Sequence, residues 1–411
     1  MLSNCLLSSP EDIMEVTLLS FDNCDQLSDA VRNFLKDAPV FLSPDYLKAL
    51  EVSGIAGLTF HYIVLVENNK IKGFYYFQIL NVASRELGTI VHIEPYTKVV
   101  NSFALIINKL LFGAKKDHPH YLLNCGNMCL SGDFGIFAGK NPDPNAYAVL
   151  PQVLKKITSD LEKSGKVITL LVKDFIKEND PASVALLANN FNRIVLDPIM
   201  KVFFETSWTT FQDYQDALSA KYRLRLNNAR KKIADCTVRN LSTTEIKEQS
   251  ARINELYQAV QHKSPVTLAK PDVQYLLSLS LSLQNKFRFR AYYKGEKMIA
   301  FMTGILNGSE YEAHHIGIDY EFNKSHSIYL NILYELIEIA IESGAQQLSY
   351  GRTAMEMKTT VGALPVDYNG YLKMNNSLLN KIVKPFLPAE APKDWTARNP
   401  FKAGKDASPV I

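Results

Sequence analysis

The sequence of 411 residues contains few cysteines, few tryptophans and only a small excess of charge. The cysteines are Cys5, Cys24, Cys125, Cys129 and Cys236. An odd and sparse set of this kind does not form a disulfide framework, which favours a reducing cytoplasm. Cys125 and Cys129 lie four positions apart, but no second Cys or His pair follows that would complete a zinc site, so we predict no metal.

The sequence also lacks a long apolar run. Its longest candidate, 99–113, contains Asn101, Asn108 and Lys109 and is shorter than the ~20 residues that cross a bilayer. The first residues, MLSNCLLSSPED, have no basic start and no apolar core, so we predict no signal peptide and a cytoplasmic protein. Lys and Arg (45) exceed Asp and Glu (42) by three, an excess too small to indicate a nucleic-acid partner.

The residues that are present have ordinary globular proportions. Hydrophobic residues make up 47% and charged residues 21% of the chain, which excludes a largely disordered or coiled-coil protein. The length predicts two or three domains.

Two β-hairpins are predicted, one in each half of the chain. Residues 60–68 alternate and are rich in β-forming side chains, and 71–82 return after the turn Asn68-Asn69-Lys70. Residues 287–293 and 298–306 flank Lys294-Gly295-Glu296 in the same way. Each half of the chain therefore contains a predicted β-hairpin of the same kind.

Each half then continues with a helix, a Ser-Gly pair and a strand. Apolar residues at helical spacing run from Leu150 to Leu161 and from Ile328 to Ala340, each followed by Ser-Gly and a short β-rich run. The recurrence favours a duplicated α/β unit, although helix, glycine and strand also follow one another by coincidence. The first copy is about 48 residues longer between these shared elements, which predicts an insertion.

The second half contains four segments that resemble a known domain. They are ALSAKYRLRLNNARKK, KFRFRAYYKGEKMIAFMTGIL, IGIDYEFNKSHSIYLNILYELIEIAIESGAQQLSYGRT and EMKTTVGALPVDYNGYLKMNN. They resemble the FemAB-like, or BioF2-like, acetyltransferase domain of bacterial proteins of the Gcn5-related N-acetyltransferase (GNAT) superfamily. The resemblance covers residues ~205–375 and implies an α/β fold of tandem GNAT-like mixed sheets flanked by helices, the first copy degenerate or carrying an insertion. We predict domains at 1–205 and 206–372 and a Pro-rich tail at 373–411.

The resemblance also implies a function, namely transfer of an acyl or aminoacyl group to an amine or hydroxyl without a metal. We predict an acyltransferase with acyl-coenzyme A or an acyl carrier protein as its thioester co-substrate. Its acceptor would be a small molecule or lipid precursor of lipid or cell-envelope metabolism. Two alternatives stay open: a FemX-type peptidyl transferase that uses aminoacyl-tRNA, and a non-catalytic ligand-binding protein. A tandem duplication already supplies a pseudo-dimer, which favours a monomer.

The donor site is predicted at Asn323, Lys324, Ser325, His326 and Ser327. They stand where many acetyltransferases of this fold have a glycine-rich loop for the coenzyme A pyrophosphate. A helix N-terminus offers free N–H groups and partial positive charge, and Lys324 and the serines add donors. Because glycines are missing, the backbone approaches phosphate less closely, and an acyl carrier protein or aminoacyl-tRNA donor stays open.

The catalytic residues are predicted around the strand that ends at Tyr350, because open α/β sheets bind ligands beyond strand ends. Arg352 is a candidate for binding an oxyanion or phosphate, Glu356 for the general base and Lys358 for a substrate contact. The alternative is an Arg352–Glu356 salt bridge that closes the sheet end. Tyr350 is a candidate acid for a leaving thiolate, and Tyr320 a second such acid or a substrate contact.

His314 and His315 are further candidate bases in the strand before the donor segment. Adjacent strand residues face opposite ways, so we expect at most one of them to face a cleft. The alternative for both is a structural role in the core.

Two other segments carry predicted ligand contacts. Residues 221–232 hold six basic residues and no acid, which suits a phosphorylated donor, tRNA or peripheral contact with anionic lipid, or else a solvated helix face. Nucleic acid alone is disfavoured because aromatic residues do not recur through the segment as a stacking platform. The glycine-rich run 125–135 supplies Asn127, Ser131 and Asp133 as substrate-binding candidates in a groove between the halves, with a plain turn as the alternative.

Overall fold

The computed structural model describes residues 16–82, 118–175, 180–263, 269–387 and 395–402. The chain divides into two compact units. Unit 1 comprises Met1–Leu196, Pro265–Pro271 and Tyr368–Ala391, and unit 2 comprises Asp197–Ser264, Asp272–Asp367 and Pro392–Ile411. The domains predicted from the sequence, at 1–205, 206–372 and 373–411, stay a prediction.

The strands of the described residues are, in chain order, β1 (Val16–Phe21), β2 (Leu58–Glu67), β3 (Lys70–Asn81), β4 (His120–Cys125), β5 (Ile136–Phe137), β6 (Lys166–Phe175), β7 (Asn192–Val195), β8 (Ile199–Phe203), β9 (Thr237–Asn240), β10 (Phe287–Lys294), β11 (Lys297–Asn307), β12 (Glu310–Ile318), β13 (Gln347–Ser349), β14 (Leu364–Val366) and β15 (Asn369–Met374).

The α-helices of the same residues are α1 (Asp29–Phe34), α2 (Pro44–Val52), α3 (Pro144–Ala148), α4 (Leu150–Leu161), α5 (Pro181–Ala188), α6 (Phe211–Ala217), α7 (Ala220–Lys231), α8 (Thr243–Glu248), α9 (Ser250–Gln261), α10 (Val273–Leu283), α11 (Tyr320–His326), α12 (Ile328–Glu342), α13 (Met355–Thr359) and α14 (Ser377–Val383). None of them is long and apolar enough for a membrane span.

Each unit is built on one mixed sheet, and the two sheets have the same strand order. The sheet of unit 1 runs β1-β2-β3-β4-β6-β15-β7, with β5 beside β3, and that of unit 2 runs β9-β10-β11-β12-β13-β8-β14. In each sheet one pair is parallel, β4 with β6 and β12 with β13, and the other pairs are antiparallel. These sheets confirm the prediction of a duplicated α/β fold of mixed sheets flanked by helices.

Each sheet includes one strand that is remote in sequence from its other strands. Strand β8 follows β7 of unit 1 along the chain but lies between β13 and β14 in unit 2. Strand β15 follows β14 of unit 2 but lies between β6 and β7 in unit 1. Each sheet therefore contains one strand whose preceding strand in the sequence belongs to the other sheet.

The first copy carries the insertion that its length predicts. Residues 82–119 connect β3 to β4, whereas only residues 308–309 connect the equivalent strands β11 and β12. Most of the longer connection, 83–117, lies outside the described residues.

Both predicted hairpins and both predicted long helices are confirmed. Asn68 and Asn69 have φ of 48° and 60°, the left-handed conformation that a tight hairpin turn needs. Helix α4 buries Val153, Leu154 and Ile157 in the core of unit 1, and α12 contributes its apolar face to the core of unit 2.

Two segments whose apolar spacing is helical throughout, 211–234 and 244–261, are each interrupted. Residues 211–234 form α6 and α7, because Leu218 is extended (φ −65°, ψ 141°). Residues 244–261 form α8 and α9, which meet at Gln249. Helical periodicity continues across both breaks and therefore does not reveal them.

The C-terminal residues contribute to both units. Strand β15 and helix α14 belong to unit 1, and Phe401 is 7% exposed in the core of unit 2. The Phe401 ring contacts Trp208 and Tyr214. Prolines interrupt the pattern here without preventing burial.

Candidate functional site

The parallel strands β12 and β13 pair over only three positions. Their register joins Glu310 to Gln347, Tyr311 to Leu348 and Glu312 to Ser349. Beyond Glu312, β12 continues to Ile318, and its described sheet partner there is β11 alone. The backbone of residues 313–318 therefore has one edge that is available to an extended ligand.

Helix α12 begins close behind this open edge in sequence. Ser327, the residue before it, has a left-handed backbone (φ 49°, ψ 41°) that turns the chain from α11 into α12. The side-chain N–H₂ of Asn331 fixes the turn by donating to the carbonyls of His326 (3.1 Å) and Ser327 (3.2 Å). A fifteen-residue helix presents partial positive charge at this end.

Of the predicted donor residues, Asn323 to His326 lie in α11 and Ser327 lies at the turn. Lys324 and Ser325 are exposed. Asn323 already accepts the backbone N–H of Tyr329 in the first turn of α12, at 3.0 Å. The Ser327 hydroxyl accepts from Lys232, at 3.2 Å.

A β-bulge places His314 and His315 on the same face of β12, so the expectation that they face opposite ways is wrong. Tyr311, Ala313, Ile316 and Ile318 all belong to the core packed against α12. The step from Ala313 to Ile316 is three residues instead of two, because the register shifts opposite Thr303. The Thr303 hydroxyl closes the bulge, accepting from the His315 N–H (2.9 Å) and donating to the His315 carbonyl (3.1 Å).

The two imidazoles pack against each other and against tyrosines of α9 and α10. Their ring centroids are 4.2 Å apart, the Tyr257 hydroxyl lies 3.0 Å from Nδ1 of His315, and the Tyr275 ring contacts both histidines. Among the described residues, Nε2 of His314 is buried with no hydrogen-bond partner. Burial lowers the pKa of His314 well below its usual range and that of His315 to about 3, so both are neutral near pH 7.

Two buried carboxyl groups precede the histidines on the same face. Glu310 accepts from Lys201 Nζ at 2.7 and 3.0 Å. Glu312 lies next to it at the last β12–β13 pair, and burial together with the Glu310 charge raises the pKa of Glu312 well above its usual range. Neither acid was predicted as a site residue, although Glu-Tyr-Glu alternation in a predicted strand puts the two acids on one face.

The predicted residues after β13 have a different arrangement. The Glu356 carboxylate is 49% exposed and pairs with Arg398 at 2.8 Å. The Arg352 Nε donates to the carbonyl of Asp197 at 2.7 Å. The assignment of Glu356 as the base and Arg352 as the oxyanion donor stays a prediction. About half of the Glu356 side chain is exposed to solvent.

Lys358 and Tyr350 hold the chain where β13 ends. The buried Nζ of Lys358 donates to the carbonyls of Tyr350 (2.9 Å), Gly351 (3.1 Å) and Arg352 (2.6 Å). Burial lowers the pKa of Lys358 to about 7, but only an ammonium has the three N–H groups that three carbonyls accept. The Tyr350 hydroxyl donates to the Leu333 carbonyl at 2.5 Å.

Of the remaining candidates, those of the glycine-rich run belong to unit 1. Asn127 is buried, donates to the Tyr46 hydroxyl (3.0 Å) and accepts the Cys129 N–H (2.8 Å). Ser131 is half-buried, and burial beside Asp174 raises the pKa of Asp133 to about 8. In unit 2, Tyr320 is 36% exposed and has the Lys263 ammonium over its ring.

Part of the basic segment 221–232 has structural contacts. Arg223 donates to the carbonyls of Gln215 and Leu218, and Arg230 pairs with Glu335 (2.6 Å) and Glu338 (2.7 Å). Lys221 and Lys231 are exposed.

Residues 220–359, which include the open edge, the bulge and the start of α12, match the family model of the acetyltransferase (GNAT) domain. These residues therefore form a GNAT domain, as the resemblance of the second half of the chain predicted. This domain also confirms the prediction of a GNAT acyltransferase.

Solved structures of other proteins are similar to this chain at low sequence identity. The crystal structure of FemX is 11% identical, with a TM-score of 0.53 over 89% of this chain and all of that chain. A tandem GNAT protein from the clavulanic acid biosynthesis pathway is 8% identical, with a TM-score of 0.49 over 88% of this chain and 99% of that chain. No curated protein sequence matches the chain. At such identity, the likeness to FemX shows the fold alone.

Proposed function

We propose that the chain transfers an acyl group from an acyl-coenzyme A thioester to an amine or hydroxyl acceptor, with the donor bound in unit 2. The observation that carries the proposal is the early end of the β12–β13 pairing. The amide groups of an extended pantetheine arm can hydrogen-bond to such an open edge as an added strand does.

The start of α12 is the proposed site for the donor phosphates. Free backbone N–H groups at the first turn of a long helix bind phosphate, and the exposed Lys324 adds a positive charge. Ser325, His326 and Ser327 complete the segment. Because Asn323 already satisfies one of these N–H groups, we expect phosphate to be bound by the remaining ones.

The histidine pair is the better-placed candidate for the general base. A base must be unprotonated to accept the proton of an attacking amine, and burial keeps both imidazoles neutral. His314 Nε2 has no hydrogen-bond partner among the described residues, so a substrate N–H that reaches this buried atom can donate to it. Glu356 stays the second candidate, and comparing His314→Ala with Glu356→Gln separates the two.

The acceptor is proposed to be a small molecule or lipid precursor that binds on the histidine face of β12. Glu310 and Glu312, with Ser349, lie on the same face and offer polar contacts to it. An acyl carrier protein and an aminoacyl-tRNA are the alternative donors. The proposed oligomeric state is a monomer. A protein that binds a ligand without catalysis is favoured only by the missing glycine-rich loop.

Calorimetric titration with acetyl-coenzyme A, a long-chain acyl-coenzyme A and coenzyme A tests the donor. We expect binding of at least one thioester and weaker binding in Lys324→Glu. If none of these ligands binds, the coenzyme A proposal fails. Binding without turnover for any amine or hydroxyl acceptor would favour the non-catalytic alternative.

A further inference from the structure

A cluster of possible metal ligands lies in unit 2, outside the groups used above for acyl transfer except for His326. Among the described residues, Asp235, Cys236 and His326 bring a carboxylate oxygen, a thiol sulfur and an imidazole nitrogen within 4.8 Å of one another. Asp235 and Cys236 lie in the turn between α7 and β9, and His326 is the last residue of α11. We propose that these three side chains bind a zinc ion.

The distances suit a tetrahedral ion. Cys236 Sγ lies 3.6 Å and His326 Nε2 lies 3.8 Å from Asp235 Oδ1. Zinc bonds of ~2.0–2.3 Å place tetrahedral ligand atoms about 3.3–3.7 Å apart, so small side-chain rotations are sufficient. His326 is 13% and Asp235 60% exposed, so one side of the cluster is open to a water as fourth ligand.

The imidazole is already oriented for this role. The Ser325 hydroxyl lies 2.8 Å from His326 Nδ1. A hydrogen bond at Nδ1 leaves the Nε2 lone pair directed at the cluster, which is the usual outer contact of a metal-binding histidine. A thiolate and an imidazole together favour zinc over magnesium or calcium.

A positive charge already occupies this neighbourhood. Lys294 forms an ion pair with Asp235, and its Nζ lies 3.2 Å from His326 Nε2. Zinc would displace the Lys294 ammonium into solvent. It would also replace the thiol proton of Cys236, and that proton would pass to the buffer. Lys294 therefore competes with the metal, and its removal should tighten metal binding.

No metal was predicted from the sequence, because no second Cys or His pair follows Cys125 and Cys129. The ligands belong to segments about 90 residues apart, and only the packing of α11 against the turn before β9 joins them. Metal binding would fix the turn that leads into α12. The inference concerns binding alone and does not depend on the proposed acyl transfer.

Cobalt(II) added to the untagged full chain is the probe. We expect a sulfur-to-cobalt charge-transfer band in the near ultraviolet and visible bands of a tetrahedral ion, both bleached by Zn²⁺. Cys236→Ser should abolish the charge-transfer band, whereas Cys129→Ser, a matched half-buried cysteine of unit 1, should retain it. Lys294→Met should lower the dissociation constant, and Ser325→Ala should raise it roughly tenfold.

Absence of the charge-transfer band in the wild-type chain would overturn the proposal, and so would a band that survives in Cys236→Ser. Circular dichroism establishes whether each variant folds. If Cys236→Ser does not fold, His326→Gln decides: unchanged cobalt affinity in that variant would contradict the site.

Discussion

The parallel strand pairs of the two units differ although their sheets share one order. In unit 1, β4 and β6 pair along all of β4, from His120–Lys166 to Cys125–Val172. In unit 2, β12 and β13 pair over three positions and then β12 continues alone on that side. An unpaired strand edge needs another hydrogen-bonding partner, so the same fold offers a ligand edge in unit 2 and a closed one in unit 1.

The buried polar atoms on these strands differ in their chemistry. Asn124 Oδ1 on β4 and His314 Nε2 on β12 are both buried with no hydrogen-bond partner among the described residues. An amide oxygen does not take up a proton near neutral pH, whereas the lone pair of a neutral imidazole nitrogen accepts one. Of these two atoms, the one that can serve as a base is therefore the one beside the open edge of unit 2.

The largest expected difference between the two units is the loss of turnover when a histidine is removed from each. We expect His314→Ala to lower turnover by about 10²- to 10⁴-fold, the usual cost of losing a general base. His61→Ala, which removes a partly buried histidine from β2 of unit 1, should leave turnover per folded molecule near wild type. Steady-state kinetics with a saturating thioester measures both. Equal losses in the two variants, or none in either, would contradict the assignment.

The pH dependence of stability should have opposite signs in the two units. The pKa of Asp133 in unit 1 is raised to about 8, so stability present below pH ~4 is lost as pH rises through 8. The pKa of His315 in unit 2 is lowered to about 3, so stability present above pH ~6.5 is lost as pH falls toward 3.

Asp133→Asn isolates the contribution of unit 1, because the amide stays neutral. We expect it to stabilise the chain at pH 8 by on the order of 5 kcal/mol, and to have little effect at pH 4. Thermal unfolding of both proteins across this range measures the difference. A variant curve parallel to that of the wild type would show that Asp133 is not buried as described.

Charge reversal at the start of α12 should weaken donor binding moderately. Lys324→Glu places a negative charge near the proposed phosphates, and we expect the dissociation constant to rise roughly threefold to tenfold. Lys155→Glu makes the same change at an exposed position of α4 in unit 1 and serves as the control. Identical affinities in the two variants would remove α12 from the donor site.

The smallest effect is expected at the basic segment 221–232. Since Arg223 and Arg230 have partners within unit 2, Lys221 and Lys231 are the exposed cations to test. If they contact anionic lipid, vesicle binding should fall with added salt and in Lys221→Glu/Lys231→Glu. Salt-independent binding, or none, would leave this segment a solvated helix face.

Local pattern was sufficient to predict the hairpins and long helices. Asn68-Asn69 and the apolar spacing of α4 and α12 act within a few residues, so they can be read from the sequence. The bulge at His314–His315 could not be predicted, because it depends on Thr303 across the strand pair. The placements of β8 and β15 and the Asp235–Cys236–His326 cluster likewise depend on tertiary packing.

Hydrogen exchange with and without a thioester tests the difference between the units most directly. On addition of the acyl-coenzyme A that binds most tightly, we predict slower exchange for amides of residues 313–318 and of the first turn of α12. Amides of β4 and β6 should be unchanged, since their edges already pair with each other. Protection confined to β4 and β6, with none in β12, would contradict the account and move the donor to unit 1.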